Sequence, residues 1–97
     1  MQTLSSRSTA VAVAIRDRVP FKTYGALSAD KGHKGRGILS NPDDLARWAD
    51  DREFIIYSVY SYATPIAWYT RENGWHRVAQ KFSVTTSKHQ GKLYLAE

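Results

Sequence analysis

The sequence predicts a small α+β fold in a single domain over residues 1–97: an antiparallel β-meander of about three to four strands packed with one or two short helices. A chain of 97 residues has the length for one hydrophobic core. Aromatic residues make up 12% of the chain, a high share that favours strands. After Glu53 the apolar pattern takes strand spacing and includes an Asn73-Gly74 turn signal.

The first predicted element is a helix over residues 9–18, with Ser8 as its N-cap. Val11 and Ile15 are four residues apart, which would place them on one helix face. The β-branched residues of this stretch also alternate with alanines, as in a strand, so both alternatives stay open. Alanine favours the helix, which we prefer, and Pro20 ends either element.

Two less regular stretches follow. Residues 21–27 are predicted to form a short extended piece that is broken by Gly25. Residues 29–37 contain three glycines and no large apolar side chain. They are therefore predicted to form a flexible, basic, glycine-rich loop.

The clearest helix signal begins at Asn41. Asn41 is a natural N-cap, Pro42 fits the first helical position, and the acidic pair at 43–44 complements the positive end of the helix dipole. A second acidic pair at 50–51 lies at the negative end, so we expect a short helix that stops there. Both acidic pairs are expected to be exposed. The inward-facing side chains are predicted to be Leu45, Trp48 and Ala49.

The strands of the meander are predicted to begin after this helix. Residues 54–62 are apolar on both faces, which indicates a central strand covered on two sides. Residues 63–65 are predicted to turn the chain into a second strand over residues 66–70.

The Asn73-Gly74 pair predicts a tight hairpin, because both positions tolerate a positive φ. Residues 75–79 would then return antiparallel, with Trp68 and Trp75 facing one another. Two alternatives stay open for the tail. Residues 82–86 fit a fourth strand, or a short C-terminal helix capped at Ser83 or Thr85 runs towards Leu95.

Composition excludes several classes of protein. The chain has no cysteine, which excludes a disulfide framework, a thiolate nucleophile and cysteine-bound zinc. Three scattered histidines show no ligand spacing, so we expect no metal and no cofactor. No apolar stretch approaches the ~20 residues of a membrane-spanning helix, and the apolar run at 10–15 is too short for a signal-peptide core. We therefore expect a soluble protein without a membrane partner.

No residue pattern predicts catalysis. Hydroxyl side chains at 83–87 lie close in sequence to His89, but such a local run makes no known catalytic triad. A hydrolytic enzyme that uses a pair of histidines is the least favoured alternative. We expect a protein that is not an enzyme and assign no catalytic residue.

The net charge of +5 is concentrated in the first half of the chain. Residues 1–48 carry eight basic and four acidic residues, whereas residues 49–97 carry six and five. The loop at 29–37 is the densest part, and its glycines and cations fit a phosphate cradle, although the P-loop spacing is missing. A solvated loop is the preferred interpretation. The candidate binding residues of this half are Lys22, Lys31, His33, Lys34 and Arg36.

Aromatic and basic residues interleave along the predicted sheet. Exposed rings beside cations bind single-stranded nucleic acid by stacking. The same residue types are enriched where proteins bind proteins. We expect most of these rings to lie in the core. The candidate binding residues of the second half of the chain are Tyr62, Trp68, Arg71, Trp75, Arg77 and His89.

Three segments resemble a known family. They read RVPFKT at 18–23, YSYATPIAW at 60–68 followed by Trp75, and FSVTTSKHQ at 82–90. Together they resemble a small domain of unknown function found in proteins of actinobacterial phages, mycobacteriophages among them. The resemblance implies a phage origin and a location in the bacterial cytoplasm, and it implies no activity.

Two classes of function remain. The first is a small phage-encoded accessory protein, not an enzyme, that binds a bacterial host protein to modulate or inhibit a host process. The alternative is a basic nucleic-acid-binding module that contacts phosphates through the lysines and arginines of the first half. The charge fits both, because a positive field also steers association with acidic proteins. Neither class predicts an oligomeric state.

Overall fold

A computed structural model of the chain describes residues 2–4, 9–23, 26–33, 35, 37, 39–78 and 90. Within them, two helices pack on a six-stranded mixed sheet. The strands are β1 (Gln2–Leu4), β2 (Phe21–Thr23), β3 (Leu27–Asp30), β4 (Tyr57–Ser61), β5 (Thr64–Thr70) and β6 (Gly74–Arg77), and the helices are α1 (Thr9–Arg16) and α2 (Pro42–Asp51). The α+β class is confirmed, and the sheet has more strands than the three to four predicted.

The sheet follows the chain order from β1 to β6. Strand β1 pairs with β2 in parallel, with α1 as the crossover, and every later pair is antiparallel. Neither helix in the described part of the chain is long and apolar enough to cross a membrane.

The two helices cover opposite faces of the sheet. Val11 and Ile15 of α1 are fully buried in one apolar cluster, which includes Val59 of β4 and Ala67 of β5. Trp68 follows Ala67 along β5 and therefore points to the other face. There it joins a second cluster formed by Leu39, Trp48, Ile55, Trp68 and Val78. The molecule thus has three layers, with one helix on each side of the sheet.

The first third of the chain contains more strand than its sequence predicted. Helix α1 is confirmed over Thr9–Arg16, while the predicted cap Ser8 lies outside the described residues. Residues 21–27 are divided between β2 and β3, and β1 was not predicted at all. Strand β3 extends to Asp30, so the predicted loop begins at Lys31 rather than at residue 29.

The basic glycine-rich loop is attached to the fold at both ends. The Gly32 N–H donates to the Ile56 carbonyl at 3.0 Å, and Ser58 Oγ donates to the Gly32 carbonyl at 2.6 Å. The Gly37 Cα lies against the backbone of Ala63 and Thr64 in the β4–β5 connection. The loop is therefore held on the sheet before and after its central residues.

Helix α2 begins as predicted but buries a different set of side chains. Asn41 Oδ1 accepts from the N–H groups of residues 43 and 44, at 3.0 and 3.2 Å. Trp48 is buried, whereas Ala49 is exposed, so the prediction for Ala49 is wrong. The exposure predicted for both acidic pairs is also wrong, because Asp44 and Asp51 are only 1% and 0% exposed.

The meander is confirmed with shifted boundaries. All five residues of β4 are buried, which confirms a central strand, but the strand begins at Tyr57 and leaves Phe54 exposed in the turn after α2. The β4–β5 turn is Tyr62-Ala63, and Thr64 and Pro65 already belong to β5. The strand-or-helix alternative at 83–95 lies outside the described residues except at Gln90, whose amide donates to the Val78 carbonyl.

Candidate binding site

Two adjoining grooves lie at one end of the sheet, where α1 and β3 end and β4 begins. The basic groove has a volume of about 330 Å³ and is lined by Asp17, Arg18, Lys31, Ile56, Tyr57 and Arg71. The apolar groove has a volume of about 310 Å³ and is lined by Glu53, Phe54, Ile55, Ile56, Arg71 and Glu72. The two grooves share Ile56 and Arg71 and so form one continuous surface.

Arg18 reaches the basic groove because of the way α1 ends. The N–H of Arg18 donates to the Ile15 carbonyl at 3.1 Å, and the N–H of Val19 donates to the Ala14 carbonyl at 2.8 Å. This pair of bonds is a Schellman motif, in which the residue after the helix takes a left-handed conformation and is usually glycine. Arg18 takes this position with φ 56°, which costs an arginine about 1–2 kcal/mol relative to glycine.

Three aromatic rings pack together beside the basic groove, and one of them, Tyr57, forms part of its wall. Tyr57, Tyr69 and Trp75 are cross-strand neighbours on β4, β5 and β6, and their rings meet edge to face. The Arg18 guanidinium lies 4.3 Å from the centre of the Tyr69 ring, a cation–π contact that fixes the position of the charge. The groove therefore presents an oriented guanidinium on a rigid support.

The Tyr57 hydroxyl joins this wall to the end of α1. It donates to the Val19 carbonyl at 2.8 Å. Burial, and then the negative charge of Asp30, raise the pKa of Tyr57 well above its usual range. The phenol therefore stays neutral and acts as a hydrogen-bond donor rather than as a charge.

Lys31 and Arg71 supply the other two cations of the basic groove. Lys31 directly follows β3, where its N–H donates to Asp30 Oδ1 at 2.8 Å, and its side chain is exposed. Arg71 opens the β5–β6 turn and is exposed as well. The groove has one carboxylate, Asp17, which accepts from Arg16 at 2.9 Å. The groove therefore has three cations and one carboxylate, and the hydrogen-bonded partner of that carboxylate is Arg16.

A buried carboxylate on the other face of the sheet positions the turn that contains Arg71. Asp51 accepts from Trp68 Nε1 at 3.0 Å and from Arg47 Nε at 2.5 Å, both at Oδ2. Its Oδ1 accepts from Asn73 Nδ2 at 2.8 Å, and the Asn73 N–H donates to Thr70 Oγ1. Helix α2 therefore holds the β5–β6 turn through the fully buried Asp51 and also through Arg47, whose guanidinium donates to the Asn73 carbonyl at 3.3 Å.

A second buried pair joins α2 to β6. Asp44 Oδ1 lies 2.8 Å from His76 Nε2. The His76 ring packs on Trp68, which packs on Trp48, and His33 packs its ring edge to face on Trp48. No group of three or more potential metal ligands occurs among the residues that the structure describes. The pair and its stacked rings thus contribute to the joint between helix and sheet.

The Asp51 network makes stability depend on pH. Burial alone would raise the pKa of the Asp51 carboxyl, but hydrogen bonds from Trp68, Asn73 and Arg47 and the charge of Arg47 lower it. A carboxyl whose pKa is lower in the folded chain stabilises the fold above the unfolded pKa of ~3.9. This contribution is lost as the pH falls through the folded pKa. When the pH is lowered below about 4, we expect the free energy of unfolding, measured with urea, to decrease. In Asp51→Asn this decrease should be less steep. Equal slopes for both proteins would contradict this assignment.

The structure brings two of the predicted binding residues together and leaves others elsewhere. Lys31 and Arg71 share the basic groove. Lys22 on β2 and Arg77 on β6 are exposed but line neither groove. Tyr62 is 63% exposed and lies at the opposite end of β4, about 16 Å from the grooves by the length of the strand.

The remaining predicted residues include one that is fully buried. Trp68 is 0% exposed, so it offers no surface to a partner. The prediction that it faces Trp75 is wrong, because Trp68 pairs with His76 and therefore lies on the opposite face from Trp75. Trp75 is half-buried against the rings of Tyr57 and Tyr69, and His33 is exposed beside Trp48. Lys34, Arg36 and His89 lie outside the described residues.

Sequence reasoning missed Arg18 and the two exposed apolar residues of the apolar groove, Phe54 and Ile56. It also missed the burial of Asp44 and Asp51. The spacing of Asp44, Trp48 and Asp51, at four and three residues, was the signal for one inward helix face. For Arg18 the local signal was weak, since only Pro20 shortly after the helix suggested this type of helix ending.

A family model described as a family of unknown function (DUF8033) matches residues 2–96. The comparisons with curated proteins and with solved structures gave no match.

Proposed function

The chain belongs to a family of unknown function, DUF8033, and from this starting point we propose that it is a small phage-encoded accessory protein that binds a protein of its bacterial host. In this proposal it is not an enzyme, and the basic and apolar grooves together form its binding surface. The phage origin and the host cytoplasm follow from the resemblance of the segments at 18–23, 60–68 and 82–90. The geometry at the end of the sheet supports the grooves as the binding surface.

One observation carries the proposal. Phe54 and Ile56 are 56% and 38% exposed, and they line the groove that adjoins three cations. Large apolar side chains that stay in water beside arginines are typical of surfaces that bind proteins. Covering Phe54 and Ile56 with a partner would remove this apolar area from water, and the cations would orient that partner.

The nucleic-acid alternative has less support in the described residues. Stacking of bases needs exposed rings, but Tyr57 and Trp68 are buried and Trp75 is half-buried. The exposed ring of Tyr62 lies at the far end of β4. The apolar groove also has two carboxylates, at 53 and 72, which would repel a phosphate backbone that continued from the basic groove.

Affinity capture from a nuclease-treated actinobacterial lysate tests the proposal. A groove variant would combine Arg18→Gly, Lys31→Gln and Arg71→Gln. A control variant with the same change in charge would combine Lys22→Gln, Arg52→Gln and Arg77→Gln, which line neither groove. We expect the wild type and the control variant to retain the same host protein, and the groove variant to lose it.

Two results would contradict the proposal. If the groove variant retains the host protein as well as the wild type, the grooves are not the binding surface. If nuclease removes everything that is captured, and both variants bind oligonucleotides more weakly to a similar degree, the charge acts on phosphates. That second pattern would favour the nucleic-acid-binding module.

A further inference from the structure

We infer that the partner enters the grooves with an acidic segment: its carboxylates bind among Arg18, Lys31 and Arg71, and one apolar side chain packs on Phe54 and Ile56. This inference rests on the proposed function, since it takes the partner to be a protein and names the chemistry of the segment that is bound.

The conformation of Arg18 is the first argument. The position after α1 favours glycine, yet this chain has an arginine there at φ 56°. Backbone strain of this kind clusters at active sites and ligand clamps. The guanidinium lies over the Tyr69 ring and lines the groove, instead of pairing with Asp17, which accepts from Arg16. The contact with Tyr69 thus holds a cation at the groove.

The order of charges along the surface is the second argument. The basic groove contains Arg18, Lys31 and Arg71, whereas the adjoining groove is lined by apolar side chains at 54–56 and by the carboxylates of Glu53 and Glu72. A partner segment that is acidic at one end and apolar at the other matches this order. A uniformly negative polymer matches only the first half and is repelled by the second.

The rigidity of the supports is the third argument. The backbone of Arg18 is held by the end of α1, and its guanidinium contacts the Tyr69 ring. Lys31 precedes Gly32, whose N–H donates to the Ile56 carbonyl and whose carbonyl accepts from Ser58 Oγ. Arg71 is the first residue of a turn that is held by the hydrogen bond from the Asn73 amide to Asp51. Because these backbones are already ordered, binding loses less conformational entropy than it would on a loose loop.

Titration with synthetic peptides tests the inference directly. The probe is a short peptide with several Asp and Glu residues followed by one Leu. The comparison peptides replace the acids by Asn and Gln, or the Leu by Ser, and an oligothymidine represents a polyanion. We expect the acidic Leu peptide to bind at low ionic strength, each comparison peptide to bind about tenfold more weakly, and salt to weaken the binding further.

The Arg18→Gly variant separates a binding role from a structural one. Glycine is favoured at a positive φ, so the backbone of this variant is relieved and its Tm should stay equal or rise. Affinity for the acidic Leu peptide should nevertheless fall about tenfold, whereas Arg52→Gln should leave it unchanged. Full affinity of Arg18→Gly would overturn the inference.

The outcomes for the segment and for the protein partner are distinguishable. If no peptide binds but capture of a host protein still depends on the groove residues, the inference of an acidic segment is wrong and the proposed function stands. If oligothymidine binds as tightly as the acidic Leu peptide, the order of charges has no selective effect and the inference fails. If the groove variant captures the host protein as well as the wild type does, the proposed function itself fails.

Discussion

Replacement of Asp51 by alanine is expected to lower the free energy of unfolding by about 3–5 kcal/mol. The carboxylate is 0% exposed and accepts hydrogen bonds from Trp68, Asn73 and Arg47. Its removal leaves the buried Trp68 N–H without this acceptor, which is costly away from water. It also removes the ion-pair partner of the half-buried Arg47. A small domain has only about 5–15 kcal/mol of stability in total.

Urea unfolding followed by tryptophan fluorescence and circular dichroism measures this effect. Asp50→Ala is the matched control, because Asp50 precedes Asp51 on the same helix and is exposed. It should change the free energy by no more than about 0.5 kcal/mol. Asp51→Asn keeps the volume and removes the charge, so it should lie between the wild type and Asp51→Ala. Equal stability of the Asp50 and Asp51 alanine variants would show that the network does not hold α2 on the hairpin.

The second large effect is expected at Gly37, where alanine should cost about 2–4 kcal/mol. A Cβ at this position would lie 2.7 Å from the Ala63 carbonyl oxygen and 2.7 Å from the Thr64 Cα. These are backbone atoms, so no side-chain rotation relieves the clash. The positive φ of 55° adds to the cost, because an L side chain rarely adopts it.

Gly32→Ala is the control that separates the clash from the conformation. Gly32 also has a positive φ, 71°, but a Cβ there would meet nothing within 4 Å. It should therefore lose only about 1–2 kcal/mol from its backbone conformation. Thermal and urea unfolding of the two variants should rank Gly37→Ala well below Gly32→Ala. The opposite order would mean that the loop does not approach the β4–β5 turn as closely as described.

Local signals were sufficient to predict α2 and the β5–β6 hairpin. Asn41, Pro42 and the acidic pair at 43–44 act within one helical turn. The start of the helix therefore depends only on residues that are adjacent in the sequence. The Asn73-Gly74 pair acts in the same way, since a tight turn depends on few positions. The turn itself covers residues 71–73, and of this pair only Gly74 takes a positive φ. What the sequence did not predict there was the role of the carboxylates. Asp44 and Asp51 are buried because Trp68, Asn73 and His76, distant in sequence, supply their hydrogen bonds.

The edge of the sheet could not be predicted from local patterns. Strand β1 has three residues and exists as a strand through its parallel pairing with β2. So short a run carries no periodicity that could separate it from a loop. Strand β3 was divided between a broken extended piece and a loop for the same reason. Its alternation of buried Leu27 and Ala29 with half-buried neighbours becomes visible only once β4 lies beside it.

The candidate site was only half predictable for a related reason. Lys31 and Arg71 were recognised as free cations, but 40 positions separate them in the chain, and only the fold brings them into one groove. Arg18 depends on a helix ending whose residue type gives a misleading signal, since glycine is usual there. The exposure of Phe54 follows from the late start of β4, which no apolar pattern specifies.

Binding of an acidic protein segment in the basic and apolar grooves can be observed by NMR. The isotope-labelled protein is titrated with the acidic Leu peptide, and the backbone amide shifts are followed. We expect the largest shifts at Arg18, Lys31, Ile56, Tyr57 and Arg71, and no change of the amides around Tyr62 at the far end of β4. Largest shifts around Tyr62, or no shift at the grooves when the peptide is in large excess, would contradict it.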